Sequence, residues 1–154
     1  MKKLNPEFVG AVLKLVNSCP YFAHLGMRIT LLERGVADME MDLERAHLQA
    51  FGFVHGGAIA SLIDTAAFWS AFCEIDASDG ITSVDLNVNY LAPCRKGRLT
   101  ATGRRIKLGR KLGLGEASIF DEGGKLVGHG TSTIMVVPGL GLENGFDLPP
   151  KFLP

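Results

Sequence analysis

Neither sign of charge predominates in this chain. Its 16 Lys and Arg balance 16 Asp and Glu, so no whole-molecule field gathers nucleic acid or an acidic membrane surface, which disfavours bulk nucleic-acid binding and leaves room only for a local basic patch. Cysteine is scarce and unpatterned. Cys19, Cys73 and Cys94 are odd in number and widely spaced, with none of the CxxC or Cys/His spacing of a zinc site or a disulfide framework. A reducing compartment, the cytoplasm, fits that usage, and no metal is expected. No apolar run reaches the ~18 residues of a membrane span. Lys2 and Lys3 precede an apolar stretch, but it is broken by Lys14 and Asn17 and lacks the small-residue cleavage site of a secretory signal. Repeats and low-complexity segments are missing too, which leaves one ordinary domain with a real core.

What the chain has is periodicity. Pro6 after Asn5, then Phe8, Val9, Val12, Leu13 and Val16, predicts an amphipathic helix ending near Ser18, so residues 1–20 form an N-terminal packing element. Residues 21–26 read as a short connector with room for a helical turn. Residues 27–33 and 35–43 read as strands about a turn at Arg34 and Gly35, the second with an acidic face of Asp38, Glu40 and Asp42 turned to water. Past the turn chemistry at 76–80, the run ITSVDLNVNYLAP predicts a strand ended by Pro93. Residues 99–108, 112–120 and 125–137 predict three more strands, expected with it as a four-strand meander. Residues 138–154, rich in Pro and Gly, read as a tail with an ordered fragment at most. The domain, 21–137, is therefore α+β: an antiparallel sheet wrapped around one long central helix, with an extra helix at the N-terminus.

That central helix begins in VHGGAIASLIDTAAFWSAFC, residues 54–73. Ile59, Leu62, Ile63, Ala66, Ala67 and Phe72 leave it no wide polar face, and a helix apolar nearly all round is a buried one. Asp64 sits within it. A carboxylate withdrawn from water must be hydrogen-bonded, protonated, or placed beside a cavity where it works. Gly56 and Gly57 stand at the helix start, where the first N–H groups lack internal partners and carry the positive end of the dipole, a seat for an anion or a developing oxyanion. Asp64 lies eight residues after Gly56, about 12 Å along the axis at ~1.5 Å per residue. One helix cannot present both to the same carbonyl. Two antiparallel copies across a twofold axis can, which points to a homodimer.

The stretch HGGAIASLID together with SVDLNVNYLAP resembles the hotdog-fold acyl-CoA thioesterases, in particular the phenylacetate-pathway branch, and the resemblance runs over residues 25–137. It implies a homodimer, often paired again into a homotetramer, whose sites lie between subunits and hydrolyse acyl-CoA thioesters without a separate cofactor, coenzyme A being part of the substrate. It further implies that Asp64 is the nucleophile or the base that activates water. The Gly56 N–H would polarise the thioester carbonyl, with Ser83 orienting the attacking group. Gln49 stands where many relatives have Asn and a related branch pairs Gln with a glutamate nucleophile, so Gln49 with Asp64 is a mixed combination. Its amide still offers donors to the thioester or water. A carboxylate and a helix end suffice for such chemistry because thiolate leaves readily.

Other residues carry weaker signals. His55 either bonds the thioester or holds the loop before the helix, and His24, His47 and His129 read as structural or surface. Arg104, Arg105, Lys107, Arg110 and Lys111 place five cations in eight residues, which is either a solvated strand end or a cradle for the phosphates of coenzyme A. Gly57 and Phe68 are further substrate-binding candidates, Phe68 on an aromatic stripe with Trp69 and Phe72 that is mainly core. The competing functions are a hydratase or dehydratase on the same fold, which would need a His paired with a carboxylate, and a non-catalytic acyl-CoA-binding module.

Overall fold

The computed structural model describes residues 2–154. The first helix, α1 (Pro6–Asn17), opens on Asn5, whose side chain accepts the Glu7 N–H, and buries Phe8, Val12 and Val16, as its spacing predicts. Pro20 then starts a second helix, α2 (Pro20–Leu25), which closes on Gly26 at φ 59°, a left-handed stop that glycine adopts freely. The helical turn that the connector leaves room for is a helix of 6 residues. Proline both ends one helix and opens the next, since its fixed φ suits a first turn.

Six strands, β1 (Met27–Glu33), β2 (Val36–Asp42), β3 (Gly80–Tyr90), β4 (Arg98–Leu108), β5 (Leu112–Phe120) and β6 (Leu126–Val137), form one antiparallel sheet in the order β1-β2-β4-β5-β6-β3. The last four are not the expected meander. β3 goes to the far edge and pairs with β6, while β4 joins β2. The long helix between β2 and β3, α3 (Gly56–Phe72), crosses one face of the sheet and touches every strand, so the chain leaves it at the opposite edge. The acidic face of β2 is drier in the fold than its alternation predicts: Asp42 is exposed, but Asp38 and Glu40 are half-buried. Arg28 on β1 and Arg98 on β4 pair with Glu40 and Asp42, and the hydrogen bond from Arg98 holds the Asp42 carboxyl below the usual carboxylate range.

A trough of small residues lets α3 lie close to the sheet. Ala37, Gly103, Ala117 and Gly130 are register partners on four successive strands. A Cβ built on Gly103 would fall 2.1 Å from the Ala66 carbonyl oxygen, and one on Gly115 would fall 2.7 Å from that of Ala67. Leu62, Ile63, Ala66 and Ala67 are fully buried against this floor. Among the described residues no helix is long and apolar enough to cross a membrane.

Residues 138–154 are anchored at separate points, with Gly141 and Lys151 buried while 138–140 and 143–147 stay exposed. Leu4 bridges to Phe152, the Asn5 N–H donates to the Lys151 carbonyl at 3.0 Å, and the Asn5 side-chain amide donates to Pro150. Lys151 is 2% exposed, and its Nζ donates to the Phe72 carbonyl at 2.7 Å while lying 4.3 Å from the Phe72 ring centroid. A cation on the last carbonyls of α3 matches the negative end of its dipole, and a buried aromatic face adds a cation–π contact. Pattern alone does not announce this strap, because its contacts are one side chain and backbone pairs rather than an apolar period.

Burial lowers the Lys151 ammonium from 10.5 to about 8 and raises the Cys73 thiol from 9.0 to about 11. From about pH 8 upward the unfolded chain holds the lysine proton that the folded chain has lost, so stability climbs with pH. Above pH 9 the thiol acts oppositely, because the folded chain keeps a proton that the unfolded chain gives up. Urea unfolding is expected to show a gain of about 1 kcal/mol between pH 8 and 9, levelling above that, with the gain missing in Lys151→Met. A parent whose stability is flat over that interval would place the Lys151 amine in solvent.

Candidate functional site

The loop into α3 is built to hold the helix start open. A 3-10 turn at Arg45–His47 buries His47, whose Nδ1 accepts the Glu44 N–H at 2.9 Å and whose carbonyl accepts the His55 N–H at 2.7 Å. His55 caps α3. Its Nδ1 accepts the Gly57 N–H at 2.8 Å and its carbonyl accepts the Ala58 N–H at 3.0 Å. A nitrogen that accepts carries no proton, so the neutral ring bears its hydrogen on Nε2. Two of the first-turn donors are thus used, and the Gly56 N–H has no partner among the described residues. The Gln49 side-chain oxygen accepts from the Phe51 N–H, which fixes the amide orientation and leaves the NH₂ free. Gln49 and Gly56 line one pocket of about 490 Å³ with Val54, Ile59 and Tyr90. Glycine at 56 lets Tyr90 close over the helix start, since a Cβ would stand 2.9 Å from the Tyr90 ring and push it outward.

Two turns along the helix, Ser83 Oγ donates to Asp64 Oδ1 at 2.7 Å, with both residues half-buried. A bulge on β3 makes this contact possible. Register slips between Ser83 and Asp85, so that Ser83 opposes Ile134 and Asp85 opposes Thr133. Strict alternation would put residues 83 and 90 on opposite faces; the extra residue lets Ser83 meet Asp64 while Tyr90 still meets Gly56. Asp85 clamps the bulge. Its carboxylate accepts the Thr133 N–H at 3.0 Å and the Thr133 hydroxyl at 2.9 Å, while Ser132 donates to its carbonyl.

The C-terminal end of α3 gathers a third group. Phe68, Trp69 and Phe72 line an apolar pocket of about 470 Å³ with residues of the tail. Arg105 donates to Glu74 Oε1 at 2.8 Å, just past the helix end. Arg110 lines a separate pocket with Glu74, Asp76 and Asp79. Arg104, Lys107 and Lys111 are exposed, and among the described residues neither they nor Arg110 enters an ion pair. A carboxylate with a hydroxyl donor, a helix end with an open N–H, and cations beyond an apolar slot are the parts that hydrolysis of an anionic, apolar-tailed ester requires.

Residues 51–128 match the model of the thioesterase superfamily. The chain belongs to that superfamily. This thioesterase-superfamily chain is 31% identical over 112 residues, 73% of itself and 91% of the relative, to the 1,4-dihydroxy-2-naphthoyl-CoA hydrolase of Listeria monocytogenes. It superposes on a thioesterase, HI1161, from Haemophilus influenzae with a TM-score of 0.81 at 25% identity, covering 92% of this chain and 99% of that one. It shares its fold with the E. coli PaaI protein of the phenylacetic acid degradation operon, at a TM-score of 0.79 and 21% identity, covering 89% of this chain and 98% of the other. The fold is thus the hotdog thioesterase fold expected from the paired motifs.

Within one copy of this thioesterase chain the sequence candidates fall into three groups. Gln49, His55, Gly56 and Gly57 stand at the start of α3, Asp64 and Ser83 at its middle, and Phe68, Arg105 and Arg110 towards its end. Arg105 is engaged with Glu74 and so differs from its exposed neighbours in the basic run. Three residues went unread in the sequence. Tyr90 walls the Gly56 pocket, and Asp85, though exposed, clamps the bulge. Tyr21 on α2 sets its hydroxyl 2.7 Å from Ser61 Oγ on α3. Only the bulge had a sequence correlate: residues 81 and 83 need the opposite parity from residues 88 and 90 to face the same helix.

Proposed function

We propose that this protein is a cytoplasmic acyl-CoA thioesterase that works as a homodimer, with each site shared between two copies. The observation that carries the reading is the Ser83–Asp64 hydrogen bond of 2.7 Å in the middle of α3. It orients a carboxylate on a helix whose own open N–H, on Gly56, is eight residues away. Pairing two α3 helices antiparallel, with Gly56 of one copy opposite Asp64 of the other, brings the two together. Support for such pairing comes from β3, an 11-residue edge strand partnered only by β6 that exposes Val84, Leu86 and Tyr90. A long edge strand with apolar side chains exposed on it is a liability unless a second chain covers it. Phe51, 82% exposed beside the helix start, falls opposite Phe68 and Trp69 in the same alignment. The resemblance to dimers that pair again into homotetramers extends the proposal to a second level of assembly.

In the shared site the Gly56 N–H and the Gln49 NH₂ receive the thioester oxygen as it gains charge. Asp64 then works in one of two ways. It takes a proton from water as the water oxygen bonds to the carbonyl carbon, or its own oxygen bonds to that carbon to give an anhydride that water later opens. In both routes the carbon–sulfur bond breaks and coenzyme A leaves as a thiolate that picks up a proton; the products are the free acid and the thiol. The exposed Arg104, Lys107, Arg110 and Lys111 offer charge-assisted bonds to the phosphates of coenzyme A. Free thiol is expected to appear when the protein meets a panel of short, long and aryl acyl-CoAs, with activity per chain falling on dilution below the dimer constant. A panel that binds without releasing thiol would make the protein a binding module, and a fully active monomer would remove the shared site.

A further inference from the structure

The pocket at the end of α3 lies outside the superfamily match on one side, since one of its walls is the tail. Phe68, Trp69 and Phe72 form the helix wall, Gly80 and Ile81 the strand wall, and the segment 139–146 the third. Apart from Asn144, every residue lining it is apolar or glycine, which suits neither phosphate nor a polar pantetheine arm. It comes next along α3 and β3 from Asp64 and Ser83. Phe68 is one turn beyond Asp64 on the same helix face, and Ile81 precedes Ser83 by two residues, on the same strand face. Its volume of about 470 Å³ falls within the range of small-molecule sites.

The tail wall is fixed in place. The Gly141 N–H donates to the Ser78 carbonyl at 2.9 Å, and the Leu140 carbonyl oxygen fills the space where a Cβ on Gly80 would stand, at 2.4 Å. Further on, Lys151 ties the tail to the Phe72 carbonyl. A substrate whose carbonyl carbon sits at Asp64 and whose acyl end runs along α3 towards its C-terminus enters this pocket. We infer that the pocket between the end of α3 and the tail holds the apolar acyl or aryl end of the substrate, so that residues 139–146 select among acyl groups. The inference rests on the thioesterase reading and adds to it a binding subsite that belongs to this chain's own C-terminal segment.

Two features make the test clean. Trp69 is the only tryptophan in the chain, so its emission reports on the pocket wall. Gly145 lines the pocket, with φ −124° and nothing within 4 Å of a built Cβ, so Gly145→Phe adds a bulky ring at its rim without straining the backbone. Titration of the parent with decanoate and with benzoate is expected to shift Trp69 emission saturably with at least one acid, the better binder telling aliphatic from aromatic preference. Gly145→Phe is expected to weaken that response and to lower kcat/KM for long or aryl acyl-CoAs roughly tenfold or more relative to acetyl-CoA. Normal thiol release with no Trp69 response to either acid, and an acyl profile that Gly145→Phe leaves unchanged, would overturn the inference while the thioesterase reading stands. A Trp69 response that Gly145→Phe blunts, without thiol release from any substrate, supports the pocket and removes the reaction instead.

Discussion

Asp64→Asn is expected to slow thiol release from acyl-CoA by about 10²- to 10⁴-fold, the range typical for loss of a positioned base, with the loss in kcat and KM little changed. Asparagine keeps the shape of the side chain and an oxygen that accepts the Ser83 hydroxyl, so the 2.7 Å contact survives. What disappears is the negative charge that can take a proton from water or attack carbon. The fold has no reason to suffer, and unfolding midpoints should agree within about 0.5 kcal/mol. Ser83→Ala offers a graded comparison. It leaves the charge but removes the donor that aims it, and hydrogen bonds to charged groups are worth about 1.5–3 kcal/mol, so a loss of roughly ten- to a hundredfold is expected. Steady-state kinetics on both variants, beside the parent, decide the matter. An Asp64→Asn chain that retains the parent rate would refute the site while leaving the superfamily in place.

The order of elements was legible because their signals are local. Apolar spacing marks α1, the unbroken apolar run marks α3, and turn chemistry at 34–35 and 121–124 separates strand pairs that do form. The position of β3 was not legible, since nothing within its own residues says which neighbour it pairs with. That depends on where α3 delivers the chain. Much the same divides the site. Asp64 and Gly56 stand out as a charge in an apolar helix and a glycine at a helix start, whereas Ser83 reaches Asp64 through a one-residue slip that only pairing with β6 creates. Asp85 reads as an edge carboxylate until Thr133 is seen opposite it. The tail was the least readable part. Its anchor is a lysine, a residue type that is almost never fully buried unless paired, and its partners are a backbone carbonyl and aromatic rings of distant elements.

Glycine gives the second large effect, and its sign depends on place. Gly103→Ala is expected to destabilise the protein by about 3 kcal/mol or more, at the upper end of overpacking costs, and Gly103→Val to prevent folding. The added Cβ would meet the Ala66 carbonyl oxygen at 2.1 Å and the Ala37 carbonyl oxygen at 3.0 Å. Both obstacles are backbone, so no rotamer change relieves them. Either α3 lifts off the sheet, opening voids around Leu62 and Ile63, or β4 shifts against β2 and β5 and loses ladder bonds. Lifting α3 also moves Asp64 away from Ser83, so activity should fall in step with stability. The identical change at Gly10 should do the reverse. Gly10 lies exposed in the middle of α1 with nothing within 4 Å of a built Cβ, and alanine in a helix interior is favoured over glycine by up to ~1 kcal/mol. Thermal unfolding at one protein concentration, necessary because association shifts the midpoint, is expected to move in opposite directions for the two variants. A Gly103→Ala chain as stable as the parent would mean that the helix and sheet do not approach at backbone contact, and the trough of small residues would lose its purpose.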